Sequence, residues 1–288
     1  MTAQIRFFDP HPQLASTLMS FLTLDIKAGA QSCLPAQAAA AIRLTIHGDV
    51  TAHMHDGKNV HLPRFSVQGP NFYARRIVYD TDTFAISVNM RPGQLRSSLG
   101  ISPSEILGEY RAMDEILSQS VVNHFLATLD THATLEDRVD CLQRFLIENL
   151  DLTRSDPMVT RFLQAHRNIS LPVIEFAMKF ELGKRQFERR FCQTYGMPLR
   201  AARRVFRFGR ALRLILPKSH RHGDLTAICY EAGYFDQAHM YRDFVEMTGL
   251  PPRELLEKIE SGDPAYWLYR LDPADFERAF VPFDPGVV

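Results

Sequence analysis

The sequence has few of the features that mark secreted or membrane-bound proteins. Its 288 residues include four cysteines that lie far apart and form no CxxC pair: Cys33, Cys141, Cys192 and Cys229. The amino terminus, MTAQIRFFDPHP, lacks the apolar core of a signal peptide. No apolar run approaches the roughly 20 residues that a membrane-spanning helix needs. We therefore expect a soluble, cytoplasmic protein without disulfides and without a membrane partner.

Signatures of catalysis are also scarce. The chain has no serine or cysteine nucleophile with a base placed beside it, and it has no glycine-rich phosphate loop. These are the arrangements by which most acyl-transfer and phosphate-binding sites are found in a sequence. The sequence therefore predicts no enzyme, no catalytic residues and no cofactor.

Two histidines leave one alternative open. His53 and His55 would lie on the same side of a strand, and enzymes of the cupin kind bind a metal ion with such a pair. The glutamate that follows the pair in those enzymes is missing, and Asp56 would face the opposite way. We prefer a histidine-bearing surface turn and predict no metal site. The alternative is a metal-dependent, cupin-like enzyme fused to a DNA-binding module.

Charge is distributed unevenly although the whole chain is neutral. Residues 1–153 have a net charge of −4, residues 154–258 of +8 and residues 259–288 of −4. A basic segment favours phosphate binding, because each neutralised phosphate releases counterions. The segment 154–258 is therefore the candidate for contact with nucleic acid.

The stretch from Asp224 to Gly249 predicts a helix-turn-helix unit. Apolar residues recur at helical spacing on both sides of Gly233, which suits a left-handed turn position. Asp236 can cap the second helix, and Gly249 can end it. Met240 lies on the buried face of that helix, so polar side chains remain to read base edges.

A second copy of this unit lies upstream. An offset of 53 residues pairs Phe187 with Met240, and the same offset aligns four further pairs: Arg189 with Arg242, Phe191 with Phe244, Gly196 with Gly249, and Pro198 with Pro251. Such a repeat indicates an internal duplication. Between the copies, a helix of about 25 Å from Leu199 to Leu216 would hold the two reading helices near the ~34 Å that separates successive major-groove faces.

The downstream motif A-G-Y-x-D-Q-x-H-M-x-R-x-F, with its upstream counterpart, resembles the AraC/XylS family of bacterial transcription regulators over roughly Ile169 to Ile259. The resemblance implies a sequence-specific DNA-binding regulator whose partner is double-stranded promoter DNA. Glu181 stands where the family usually has the turn glycine, and Leu199 where it usually has proline. Some DNA-repair alkyl acceptors carry a similar reader, but the sequence has no clustered, activated cysteine site.

Candidate DNA-binding residues follow from both reading helices. Helical spacing and the resemblance together give this set: Lys184, Arg185, Gln186, Glu188, Arg189, Gln237, Ala238, His239, Tyr241 and Arg242. Arginine pairs with guanine, glutamine with adenine, and tyrosine with phosphate. The arginines of the intervening helix could contact phosphate or pair with Asp or Glu.

The first half of the chain predicts a β-rich domain, and the family resemblance implies that this domain senses a small molecule. From Ile42 to Met90, short segments rich in branched and aromatic residues alternate with Gly, Pro and Asp turns, which indicates a small sheet or barrel. Ser102 to Glu105 predicts a helix start, and two helices from about Met113 to Leu129 and Thr134 to Leu150 predict a hairpin. The hairpin could cover the barrel core, serve as a dimerisation face, or do both.

The fold class we predict is α+β, in three segments: a β-rich, barrel-like sensory domain with a helical hairpin at 1–153, an all-α domain of two helix-turn-helix units at 154–260, and an acidic, aromatic tail at 261–288. The tail either packs back onto a domain or covers the basic surface. A small-molecule effector, a homodimer and contact with RNA polymerase are further expected partners.

Overall fold

A computed structural model describes residues 3–154, 156–165, 171–216 and 224–280. The start of the family resemblance at Ile169 and the aromatic tail residue Phe283 lie outside these ranges. Strands fill the first part of the described chain, with these bounds: β1 Gln4–Phe8, β2 Leu18–Ile26, β3 Gln31–Leu34, β4 Ala41–His47, β5 Val50–His53, β6 Asn59–His61, β7 Phe65–Gln68, β8 Arg75–Tyr79, β9 Thr83–Met90 and β10 Tyr110–Ala112.

Helices follow, and those of the second half are mostly amphipathic. Their bounds are α1 Gln94–Leu99, α2 Gln119–Thr131, α3 Leu135–Asn149, α4 Pro157–Ala165, α5 Val173–Met178, α6 Lys184–Tyr195, α7 Leu199–Ile215, α8 Leu225–Glu231, α9 Gln237–Thr248, α10 Pro252–Glu260 and α11 Pro273–Ala279. No helix of the described residues is long and apolar enough to cross a membrane.

The strands form two antiparallel sheets. The larger has the order β1-β2-β9-β4-β7-β10, and the smaller has the order β3-β8-β5-β6. The sheets are not closed into a barrel, so the barrel-like prediction is correct in its strand content but not in closure. The α+β class itself is confirmed.

One face of the larger sheet packs on the helical hairpin. Ile42, Leu44 and Phe65 share a buried cluster with Phe125 of α2 and Phe145 of α3. Ser118 and Thr134 cap these two helices by accepting hydrogen bonds from backbone amides. The predicted hairpin is therefore present, and it covers the core of the sheet.

One local prediction needs correction. The predicted helix start at Ser102 is only a 3-10 turn, Pro103–Glu105, because the chain then turns through Gly108 at a φ of 74°. Leu14 ends a 3-10 turn, Pro12–Leu14, and Leu18 to Leu22 lie in β2. His55 lies in a turn beyond the end of β5, as the preferred interpretation of a histidine-bearing surface turn predicts, so it does not share a strand face with His53.

The aromatic tail returns to the sheets. Residues 264–270 form a 3-10 segment whose Trp267 Nε1 donates to Ser32 Oγ of β3 over 2.7 Å. Ser20 Oγ and Asn89 Nδ2 both donate to the carbonyl oxygen of Arg278 in α11. The aromatic side chains of this segment are buried: Tyr266, Trp267, Tyr269, Phe276 and Phe280. Segments at both ends of the described chain thus share one core.

Candidate DNA-binding surface and interior cavity

The downstream helix-turn-helix unit consists of α8 and α9. Gly233 adopts a φ of 87° in the turn, and the Asp236 carboxylate accepts a hydrogen bond of 2.7 Å from the amide of His239. Gly249, at a φ of 83°, ends α9. These are the turn, cap and stop that the residue types predict, because glycine tolerates positive φ and aspartate satisfies free amides at a helix start.

The side chains predicted to read DNA on α9 have different surroundings. Ala238 and Arg242 are exposed. Gln237 is also exposed, but its Nε2 donates to Thr226 Oγ1 of α8 over 2.7 Å. His239 lies edge-on against Tyr234, and Tyr241 is partly buried against the core. The free surface of α9 is therefore centred on Ala238 and Arg242, while the other three side chains have contacts within the domain.

On the upstream reading helix, α6, all five side chains predicted to bind DNA are exposed to solvent. Phe187 and Phe191 are fully buried. The exposed side chains are Lys184, Arg185, Gln186, Glu188 and Arg189. Three of these five carry a positive charge, so this face suits the phosphate backbone as well as bases.

The turn before α6 differs from its downstream counterpart. Glu181 has a φ of 56°, the one positive φ of a non-glycine residue in the described chain. An L-residue other than Gly, Asn or Asp rarely adopts this conformation, because its Cβ crowds the backbone. Gly183 occupies the N-cap of α6 and provides no side-chain hydrogen bond. The upstream unit thus begins with a strained turn and an uncapped helix.

An ion-pair cluster fixes α9 to the central helix α7. Arg204 Nε donates to Asp243 Oδ1 over 2.5 Å, and Arg204 Nη1 donates to Glu246 Oε1 over 2.8 Å. These bonds raise the pKa of Arg204 above its usual value and lower the pKa of Glu246. Asp243 is only 1% exposed, so its charge depends on this partner. Arg204 is therefore a structural residue.

For the arginines of α7, the sequence left two roles open: contact with phosphate, or interactions within the protein. The structure shows arginines in both kinds of surroundings. The Arg207 guanidinium lies 5.6 Å from the centre of the Tyr234 ring, and Arg213 pairs with Glu277 of α11 over 3.2 Å. Arg200 and Arg210 are exposed. The two exposed residues are the candidates for phosphate contact.

Sequence reasoning missed an exposed aromatic side chain beside α9. Phe235, which precedes the capping Asp236, is 87% exposed. An apolar side chain at the start of a reading helix can contact a thymine methyl group. A second aromatic residue directly before the helix-capping Asp236 was the available signal.

A cavity of about 70 Å³ lies between the two sheets. Apolar side chains form most of its wall: Leu22, Leu24, Leu34, Val50, Leu62, Ile77, Trp267, Leu268 and Phe280. Polar groups lie on the same wall, among them Gln37, Arg43, Ser87, Asn89 and Tyr110. A concave apolar site with a few polar groups is typical of small-molecule binding.

The histidines proposed for a metal do not form a site. The His55 ring stacks on Tyr73 with centroids 3.9 Å apart, whereas His53 lies on β5. Among the described residues, no three His, Cys, Asp or Glu side chains lie together as metal ligands would. This geometry gives no support to the cupin-like enzyme.

Comparison with known proteins identifies the helical part of the chain. A sequence model of the helix-turn-helix domain family matches residues 176–258. The chain therefore contains a DNA-binding helix-turn-helix domain. The domain is of the AraC type, so the resemblance predicted from the sequence is confirmed for this part of the chain. No curated protein matches the chain.

Solved structures similar to the chain include regulators and a cupin. ToxT from Vibrio cholerae is 12% identical, with 84% of this chain and 98% of that one covered and a TM-score of 0.45. A ToxT structure with a bound unsaturated fatty acid is 10% identical, covering 84% of this chain and 95% of that one at 0.45. A cupin protein from Desulfovibrio desulfuricans is 13% identical over 31% of this chain and 82% of its own, at 0.25.

Proposed function

We propose that this regulator reads promoter DNA with α6 and α9 and that a small molecule in the cavity controls the reading. One observation carries the proposal. Leu34, Pro35 and Gln37 line the cavity, and the amide of Ala36 between them donates to the carbonyl oxygen of Met247 in α9 over 2.8 Å. A movement of the cavity wall at Pro35 or Gln37 would therefore displace Ala36, which is hydrogen-bonded to the second reading helix.

A second contact links the cavity to the spacer helix α7. Phe280, at the cavity wall, lies edge-on to Phe208 with ring centroids 6.4 Å apart, and Glu277 of α11 pairs with Arg213. Because α7 connects the two helix-turn-helix units, a shift of α11 would change their relative position. An effector needs only different affinities for two such arrangements to change DNA binding.

The upstream unit also contacts the sheet domain. Gly196, at the end of α6, lies so close to Pro103 that a Cβ built on Gly196 would be 2.7 Å from the proline Cβ. The carboxyl ends of both reading helices thus pack on the first domain, while their first turns remain exposed. DNA can approach those turns, and the first domain can act on the opposite ends.

The experiment that tests the proposal is selection of bound sequences from random duplex DNA with the purified protein, with and without a library of small metabolites. We expect a motif with two blocks one helical turn apart, and a change in affinity with at least one compound. Ala85→Leu, which fills part of the cavity wall, should change the response to that compound while DNA binding persists. Failure to enrich any motif under either condition would overturn the proposal.

We also propose that the regulator has no enzymatic activity, that it is cytoplasmic, and that it acts as a homodimer that can contact RNA polymerase. A groove between α2 and α3, lined by Val121, His124 and Phe145, is the face offered for dimerisation. Sedimentation equilibrium of the protein and of Val121→Glu checks this, since a charge at that position should dissociate the dimer.

A further inference from the structure

The cavity contains a positive charge without a counter-ion. Arg43 of β4 lines the cavity, and its Nε and Nη2 donate to one neutral acceptor, Gln68 Oε1, over 3.3 and 3.1 Å. In the described part of the chain, Nη1 has no hydrogen-bond partner and the guanidinium has no carboxylate partner. Removal from bulk water lowers the pKa of Arg43, and the nearby Arg75 lowers it further.

Arg75 adds a buried cation behind Arg43. It is 3% exposed, and Nη1 donates to Tyr110 Oη over 3.1 Å, while Nε and Nη2 have no hydrogen-bond partner among the described residues. Tyr110 in turn lines the cavity. The described residues form no ion pair with Arg75. A buried and a partly buried guanidinium group without an acid are costly, because charges removed from water are normally paired.

Two neutral hydrogen-bond donors without partners lie in the same cavity wall as Arg43. Gln37 is 6% exposed and Ser87 is 2% exposed, and both line the cavity. Gln37 Nε2 and Ser87 Oγ have no hydrogen-bond partner among the described residues. Buried polar groups are almost always bonded, so unpaired donors beside a cation indicate a missing acceptor. An anion in the cavity would be an acceptor for the three lining groups Arg43, Gln37 and Ser87.

The rest of the wall restricts the anion to one with an apolar body. Leucine, isoleucine, tryptophan and phenylalanine side chains surround the polar edge. The space of about 70 Å³ admits about five water molecules, which matches a short chain or single ring. Sugars and nucleotides would leave their hydroxyl groups unpaired against this wall.

We propose that the effector is a small apolar carboxylate, whose acid group pairs with Arg43 and whose apolar part contacts Trp267 and Phe280. The role as effector rests on the proposed function, but binding itself is independent of DNA. Arg75 strengthens the positive field at the cavity and is a positioning residue, since Tyr110 lies between it and the ligand.

Trp267 is the one tryptophan of the chain and lies in the cavity wall, so its emission reports occupancy directly. The test titrates the full-length protein with hexanoate and with hexanamide, which has nearly the same shape but no charge. We expect hexanoate to bind about tenfold more tightly or better, because a charge-assisted bond replaces a neutral one. Inorganic phosphate, which has the charge without the apolar body, should bind far more weakly than hexanoate.

Variants separate the role of Arg43 from general charge. Arg43→Gln should abolish the preference for hexanoate over hexanamide, and Arg43→Lys should retain part of it. Arg76→Gln is the matched control, because Arg76 is the next residue after Arg75 on β8 and is exposed. If Arg43→Gln does not fold, the paired ligands on the unchanged protein and on Arg43→Lys decide the question.

Equal affinity for hexanoate and hexanamide, or an unchanged preference in Arg43→Gln, would overturn the carboxylate assignment. Preferential hexanoate binding without any effect on DNA affinity would support the site and refute the control of DNA binding. The two proposals therefore fail by different measurements.

Discussion

The two helix-turn-helix units come from one duplicated sequence, yet they differ in how firmly they are built. The downstream unit has glycine in its turn, aspartate at its cap and the Arg204 ion pairs along α9. The upstream unit has Glu181 in the strained turn position and Gly183 at the cap. At the positions of Asp243 and Glu246 it has Arg190 and Gln193, both exposed, so it lacks an equivalent ion-pair cluster.

From this comparison we infer that the two units contribute differently to the specificity and the affinity of DNA binding. A rigid reading helix places its side chains against base edges at little entropic cost, whereas a basic helix with a strained start gains more from phosphate attraction. We expect α9 to supply specificity and α6 to supply a larger share of salt-dependent affinity. Five sets of variants test the difference, in decreasing order of expected effect.

The ion-pair cluster gives the largest expected effect. Arg204→Met should destabilise the protein by about 3 kcal/mol, because it leaves the buried Asp243 charge unpaired. Arg210→Met, on the exposed side of the same helix, is the control and should change stability by less than about 0.5 kcal/mol. Urea unfolding measures both, and equal stability of the two variants would contradict the assignment.

The same cluster predicts a pH dependence. Arg204 lowers the pKa of Glu246 in the folded state, so this pair contributes stability above the unfolded pKa of Glu and loses it as pH falls through the lower folded value. Urea unfolding below about pH 4.5 should therefore show a steeper loss of stability for the unchanged protein than for Glu246→Gln.

Specificity gives the next effect. Arg242→Ala should cost about 1 to 3 kcal/mol at one base pair and relax the selected motif there. Arg189→Ala, the equivalent change in α6, should weaken binding to all sequences alike and reduce the salt slope by about 1. Competition with variant duplexes at several salt concentrations distinguishes them. A base-specific loss in both variants would mean that the units read DNA equally.

Helix capping gives a smaller effect. Asp236→Ala removes the bond to the His239 amide and should cost about 1 kcal/mol of stability. Gly183→Ser adds a cap to α6 and should stabilise by a few tenths of a kcal/mol. Thermal unfolding of both variants against the unchanged protein gives the comparison, and a stabilising Asp236→Ala would show that the cap is not used.

Substitutions at the two turn positions, 181 and 233, should have the smallest effects on stability, and these effects should be opposite in sign. Glu181→Gly should stabilise the protein by up to about 1 kcal/mol, because glycine adopts a φ near 56° without strain. Gly233→Glu should destabilise it by about 1 kcal/mol. The nearest atom to a Cβ at Gly233 is 3.9 Å away, so that cost would come from the backbone alone. Arg161 donates to Glu181 Oε2 over 3.5 Å. Destabilisation by Glu181→Gly would mean that this contact outweighs the strain.

The parts of the fold that the sequence predicts are those determined by residues close together in the chain. The turn, cap and stop residues around α9 act within a few positions, so their roles can be read directly. β2 was not predicted, because Leu14, Leu18, Phe21 and Leu22 also fit helical spacing, and the alternation of Leu22, Leu24 and Ile26 with polar residues covers only its second half. The open arrangement of the sheets depends on pairings between distant segments.

The cavity could not be predicted for a similar reason. Arg43 stands between Ile42 and Leu44 in an ordinary alternating strand, which predicts a solvent-facing cation. Only the second sheet and Trp267, more than 200 positions away, enclose that side chain. The hydrogen bond from Gln237 to Thr226 could not be predicted from the sequence either, because it depends on the angle between α8 and α9.

Trp267, Leu268 and Phe280 form part of the cavity wall although they follow both DNA-reading helices in the chain. During synthesis the sheets and the reading helices leave the ribosome before this wall exists. A shortened product that ends after α10 would retain α6 and α9 but lack this part of the cavity wall. The cavity is therefore completed only after both helix-turn-helix units have been synthesised.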